Sequence, residues 1–235
     1  MDFYSYFCSM IDVEICCNSR ASAVAAKDGG ADRIELCRNL ECGGLTPTDE
    51  DIDFCVHKLG LRTHVLVRPR EGDFCYTPAE LEEIIATIKR CKAMGASAVV
   101  LGVLTAEGRI DVEVTRRLAI LATPMEVTFH RAFDEAKQDP IEALWHVAAA
   151  RCDRLLTSGQ RATALEGADT IRQLVGTTGV KILAGSGVTP ANVREIVQTT
   201  GVHEVHGSCK KNLDDGTIVT DAATVRQMIE KTLTL

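Results

Sequence analysis

The sequence predicts an α/β fold in which eight β-strands, each followed by a helix, close into a single-domain (β/α)8 barrel. Three observations lead there. Short β-branched runs alternate with longer stretches of helical period along the chain. There are eight such units at roughly 29 residues each, and 235 residues is near the ~250 typical of this barrel. No linker or low-complexity segment divides them. A doubly wound open sheet is the competing architecture, but it usually has fewer strands, and no G-x-G-x-x-G turn follows the first strand here.

The predicted strands are, in order, "IDVEICC" from Ile11, "RIELC" from Arg33, "HVLVRP" from His64 and "AVVLGV" from Ala98. "EVTFHR" from Glu126, "RLLTS" from Arg154, "KILAGS" from Lys181 and "EVHGS" from Glu204 complete the set. Of the helices, Pro78 to Met94 is the clearest: Leu81, Ile84, Ile85, Ile88 and Cys91 form one apolar stripe. Thr77, Pro78 and Glu80 supply an N-cap, a first-turn proline and a capping-box acid. Thr189-Pro190 repeats the cap-then-proline start for the seventh helix. Residues 1–10 are expected to be an N-terminal extension, with Met1 or Met10 as start, and residues 11–235 the barrel.

A net charge of -7, a pI near 5.4 and no Lys/Arg run longer than Lys210-Lys211 argue against a nucleic-acid or anionic-membrane surface. The first residues carry an acid, Asp2, and no basic stretch or long apolar stretch, so they do not read as a secretory signal. The apolar runs are too short to span a bilayer. The expectation is a cytoplasmic protein whose partners are metal ions or small anionic metabolites, with a homodimer as the default assembly. The ten cysteines sit mostly in apolar runs, with no Cys-x-x-Cys pair, and are expected to be reduced thiols rather than a disulfide scaffold or zinc ribbon.

Strand side chains alternate between barrel interior and helix layer. If Glu14 faces inward, so do Asp12 and Cys16, and the same parity points Glu35 and Cys37, Arg68, Thr128 and His130, and Glu204 and His206 into the lumen. Barrel cores are normally layers of Val, Ile and Leu, so these groups need mutual pairing or a ligand. One expectation is a satisfied polar core with Glu14 and Glu35 bridged by Arg68. The other is a catalytic mouth of Glu14, Glu35, Arg68 and His130, with Asp134 in the following loop, where a histidine near two carboxylates does acid or base work. Asp134 alternatively caps its loop or pairs with Arg131. A His130 at a solvated strand tip would cost little stability to remove.

The loops after strands seven and eight, "AGSGV" and "HGS", are where such barrels often bind phosphate through backbone N–H groups. Gly185, Ser186, Gly187, His206, Gly207 and Ser208 are therefore anion-site candidates, together with Arg70 and Arg131; the glycines alternatively just make tight turns. Cys16 and Cys37, inward on neighbouring strands ~4.8 Å apart, could both reach one soft ion such as Cu(I), or behave as small buried hydrophobes.

Taken together, "EICC", "GADRIELC", "GGLTP", "RPREGDFCY", "TFHRAFD", "LLTSGQ", "AGSGV" and "EVHGS" resemble the motif series of the CutC family, over about Ile11 to Ser208. The resemblance implies a cytoplasmic (β/α)8 TIM barrel linked to Cu(I) binding and copper homeostasis, without an established enzymatic activity. It implies Cys16 and Cys37 as the metal-binding thiols. It also implies a polar mouth of Glu14, Glu35, Arg68, Arg70, His130, Arg131 and Asp134. Two departures stand out: Met1 to Ser9 precede the usual start, and the segment from Cys209 to Thr220 is short against the family pattern. Two functions follow as expectations, a copper-binding homeostasis protein and an acid/base enzyme acting on a small anionic or phosphorylated substrate.

Overall fold

A computed structural model describes residues 11–212 and 218–233; the extension Met1 to Ser9 and the alternative start at Met10 lie outside them. Eight parallel strands form the closed barrel: β1 (Asp12–Cys17), β2 (Arg33–Leu36), β3 (Thr63–Leu66), β4 (Ala98–Leu101), β5 (Glu126–Phe129), β6 (Arg154–Thr157), β7 (Lys181–Ala184) and β8 (Glu204–Gly207). Each pairs with the next, and β1 closes the ring on β8 through Asp12 to Ile15 opposite Glu204 to Gly207. The predicted fold class is the observed one.

The helices follow their strands: α1 (Arg20–Gly29), α2 (Asp49–Asp53, continued by a π-helical turn Phe54–Lys58), α3 (Pro78–Ala93) and α4 (Val112–Ala122). The rest are α5 (Pro140–Ala149), α6 (Ala168–Leu174), α7 (Val193–Thr200) and α8 (Ala222–Leu233). A hairpin of β9 (Lys210–Asn212) and β10 (Ile218–Thr220) precedes α8. In α3 the sequence cues act as expected, because Thr77 Oγ1 accepts the Glu80 N–H while the Glu80 carboxylate accepts the Thr77 N–H. The start of α7 differs. Asn192 Oδ1 accepts the Thr189 N–H, folding Thr189 to Asn192 into a turn, and the helix begins only at Val193. No helix among the described residues is long and apolar enough to cross a membrane.

The alternation along the strands produces two interiors. Val13, Ile15, Ile34, Val65, Val99, Val127, Leu155, Ile182 and Val205 face the helices and form the main apolar core. The lumen instead holds a layer of charge. Arg33, fully buried, donates to Glu14 (Nε to Oε2, 2.6 Å), to Glu204 (Nη2 to Oε2, 2.5 Å) and to Asp12 (Nη1 to Oδ2, 3.2 Å). Arg154, also fully buried, donates to Glu204 and to Glu126. Two guanidinium forks thus cross-brace β1, β2, β5, β6 and β8 near the N-terminal ends of these strands. Their planar five-donor geometry suits two carboxylates at once, where lysine could not replace them.

This layer corrects the expectation that Arg68 bridges Glu14 and Glu35. Arg33, two residues before Glu35, is closer to Glu14 in register, the two residues being paired across β1 and β2. Arg68 lies beyond the end of β3, where its reach is to loops.

Candidate functional site

Directly above the Arg–Glu layer, β1, β2 and β8 bring Glu14, Cys16, Glu35, Cys37 and His206 together. His206 Nδ1 is 2.8 Å from Glu14 Oε1 and 3.5 Å from Glu35 Oε2, and the Cys16 thiol also interacts with the ring. The Cys16 and Cys37 sulfurs are 3.8 Å apart. Both are buried in a small apolar cluster with Leu66 and Val100, roofed by Leu40 from the 3-10 turn Leu40–Cys42. No disulfide joins any of the nine described cysteines, as reduced thiols require.

Burial and charge set the protonation states. Burial pushes Glu14 up, but the Arg33 charge and hydrogen bonds from His206 and His64 outweigh it and hold the carboxyl well below the usual range. Glu35 has no such arginine: burial raises it to about 7, with the His206 charge opposing and the Glu14 charge adding to the rise. Burial pulls His206 down, yet its hydrogen bonds to Cys16 and Glu14 and the charges of Glu35 and Glu14 hold it well above an ordinary histidine. Its imidazolium is the natural counterion of this pair of carboxylates at neutral pH. The hydrogen bond to Cys37 and then burial raise Cys16 well above an ordinary thiol, so an incoming metal must displace its proton.

Arg68 and His130 occupy a separate part of the mouth, which corrects the expectation that His130 stands beside Glu14 and Glu35 at a solvated tip. The Arg68 guanidinium donates to the carbonyls of Cys42, Gly44 and Gly72 and lies 4.9 Å over the Phe74 ring, clasping the β2 and β3 loops together. The His130 ring also packs on Phe74, tilted, 4.8 Å between centroids, and is only 5% exposed. Removing it would empty a packed site. The Ala132 N–H donates to His130 Nδ1, which leaves the neutral ring its proton on Nε2. Burial, then the Arg68 charge, lowers its pKa to about 3. His130 is therefore a fixed N–H donor at neutral pH, not a base. Both His130 Nε2 and Arg68 Nε are buried without a hydrogen-bond partner.

The ring fits because Gly102 faces it from the end of β4. A Cβ there would lie 2.6 Å from His130 Nδ1 and 2.7 Å from Cε1. Gly102→Ala is accordingly expected to rotate the imidazole off Phe74 and destabilise the protein by about 1–3 kcal/mol. Thermal denaturation checks the cost, and a histidine NMR resonance that moves toward its exposed position checks the cause.

The remaining candidates are engaged within loops. Asp134 accepts from Thr157 Oγ1, from Ser158 N and Oγ, from Gln160 N and from Arg131 Nε, so it both caps its loop and pairs with Arg131. Arg131 adds a bond to Ser158 Oγ. Arg70 ties Glu80, Asp73 and the Glu71 and Cys75 carbonyls into the β3–α3 loop. In the β7 loop the glycines allow close packing. The Gly185 N–H donates to Thr157 O, the Ser186 hydroxyl donates to Ala162 O, and a Cβ on Gly185 would lie 2.4 Å from Leu156 Cδ1. Gly187 takes a left-handed φ of 69° facing Thr163, and a Cβ on Gly207 would press on Met228 and the Val188 carbonyl. Ser208 contributes its carbonyl to Thr220 Oγ1, and His206 faces carboxylates.

Sequence reasoning missed Arg33, Arg154 and His64, all fully buried and inward-facing. Extending the same alternation two residues back from Glu35 and four back from Arg68 finds the first and last of these. Leu40 and Phe74, in loops, carry no such periodic signal.

With this geometry in view, the similarities are specific. The CutC family model matches residues 11–211. A family protein CutC of Chromobacterium violaceum is 44% identical over 200 residues, covering 84% of this chain and 81% of that one. One from Bacteroides fragilis is 41% identical over 206 residues, 86% of this chain and 82% of its own. Among solved structures, a CutC from Streptococcus agalactiae, which carries copper homeostasis as a provisional label, aligns with a TM-score of 0.79 at 32% identity. It covers 85% of this chain and 99% of its own. A thiamine phosphate pyrophosphorylase from Pyrococcus furiosus aligns at 13% identity with a TM-score of 0.64 over 96% of this chain and 97% of its own, which is a likeness of fold alone.

Proposed function

Because the chain belongs to the CutC family, we propose that it serves copper homeostasis by holding one Cu(I) ion between Cys16 and Cys37 at the top of the barrel lumen. The observation that carries this reading is the 3.8 Å separation of two unoxidised sulfurs on adjacent strands. Thiolates are the ligands a soft ion selects. With metal–sulfur bonds of the ~2.3 Å seen in zinc thiolates, a linear S–Cu–S unit spans about 4.6 Å, so the sulfurs need part by only ~0.8 Å. Leu40 packs against the pair and shields it with apolar surface.

Titrating the reduced protein with Cu(I) in competition with a chelator is expected to show one tight equivalent. Cys16→Ser combined with Cys37→Ser should lose it, with affinity falling by at least 100-fold. Unchanged affinity in the double variant would remove the assignment.

A second reading, an enzyme acting on a small anionic substrate, has one observation in its favour. Arg68 Nε and the His130 Nε2–H are buried donors without partners, and an anion at the mouth would satisfy both. In that reading Glu35, raised to about 7, is the acid or base and His130 a neutral hydrogen-bond donor. Sulfate soaked into crystals should then sit against Arg68 and His130 rather than at the β7 loop.

A further inference from the structure

We propose that Glu14, Glu35 and His206 form a second metal site, distinct from the thiol pair, that takes a zinc-like divalent first-row ion through two carboxylate oxygens and one imidazole nitrogen. One donor atom from each of the three residues lies within 4.8 Å of the other two. Geometry and bonding divide the Glu14 carboxylate into a held and an offered oxygen. Arg33 Nε holds Glu14 Oε2 at 2.6 Å, which leaves Oε1 facing His206 Nδ1 at 2.8 Å. Such an outer hydrogen bond is what fixes a ligating carboxylate in metal sites.

Glu35 supplies the independent sign that something is to be bound. Its side chain is more than nine-tenths buried, and its Oε2 points into the cluster without a hydrogen-bond partner, 3.5 Å from His206 Nδ1. A buried carboxylate oxygen with no donor is costly unless a ligand meets it. For a tetrahedral ion with metal–nitrogen and metal–oxygen bonds of about 2.0–2.2 Å, the nitrogen–oxygen span is about 3.4 Å. The Glu35 pair already has that span. The Glu14 pair needs to open by ~0.6 Å as its hydrogen bond is exchanged for two bonds to the ion. Oxygen and imidazole donors favour a borderline dication such as zinc over Cu(I), which the sulfurs above would select.

The site uses neither thiol, so its failure leaves the copper reading standing. Co(II) is the probe, because its visible spectrum reports both geometry and sulfur ligation. The full-length Cys16→Ser, Cys37→Ser protein is expected to bind one equivalent with the intense visible bands of a tetrahedral ion and no thiolate charge-transfer band. Adding Glu35→Gln should weaken that binding at least 10-fold, and Glu35→Asp, which keeps the charge but shortens the reach, should weaken it as well, with circular dichroism confirming the fold. The proposal is overturned by no uptake, by the weak spectrum of hexa-aqua cobalt, by uptake that vanishes with the thiols, or by uptake indifferent to Glu35.

Discussion

Replacing Arg33 with methionine is expected to lower the stability of the barrel by about 3–5 kcal/mol at neutral pH. The size follows from what the change leaves behind. Arg33 is fully buried and is an arginine partner of Glu14, beside His206, and one of two arginines on Glu204. Methionine fills most of the volume but supplies no donor, so Glu14 loses its guanidinium and keeps only histidine partners, or must take a proton it otherwise holds only far below neutrality. Equilibrium denaturation of the single variant measures the loss. The triple variant Arg33→Met, Glu14→Gln, Glu204→Gln should regain a large part of it, because the damage lies in the stranded charges rather than in lost packing. A single variant within about 1 kcal/mol of the parent would show that the lumen tolerates these carboxylates without the Arg33 guanidinium.

The second large effect concerns pH. Burial raises Glu35 to about 7 from an ordinary value of 4.5, so the folded protein binds this proton more tightly than the unfolded chain does. The stabilisation it gives is complete below about pH 4.5 and is lost as pH rises through about 7. Glu35→Gln removes this titration. Relative to the parent, the variant should therefore gain on the order of 3 kcal/mol between pH 4 and pH 8, because each tenfold difference in proton affinity between folded and unfolded chain is worth about 1.4 kcal/mol. Denaturant midpoints of both proteins across that range test it, and parallel profiles would mean that Glu35 is not held protonated by burial. Glu14 and Glu204 run the other way: lowered in the fold, they contribute stability above their ordinary range that is lost as pH falls through their folded values. Both proteins share that loss, so it cancels in the comparison.

The barrel was legible because each strand is a short β-branched run and each boundary carries its own chemistry, as at Thr77, Pro78 and Glu80. The inward set was legible too, since a period of two needs only one fixed residue, and Glu14, Cys16, Glu35, Cys37 and His206 do meet in the lumen. Pairing among them was not legible. Whether Arg33 or Arg68 serves Glu14 depends on strand stagger, a property of barrel closure rather than of any one segment. The loops were least legible. His130 and Arg68 share Phe74, and Leu40 covers the thiols, because Arg68 bonds to three loop carbonyls that any sequence would offer. The same limit applies to Gly185 and Gly207, whose missing side chains make room for Leu156 and Met228.

X-ray absorption at the copper edge, on reduced protein loaded with one equivalent of Cu(I), identifies the atoms that hold the ion. The expected spectrum shows two sulfur neighbours at about 2.3 Å or slightly less, the length of a metal–thiolate bond, and loses them in the Cys16→Ser, Cys37→Ser protein. Nitrogen and oxygen neighbours alone, or sulfur neighbours that persist in that variant, would contradict the assignment of the ion to Cys16 and Cys37.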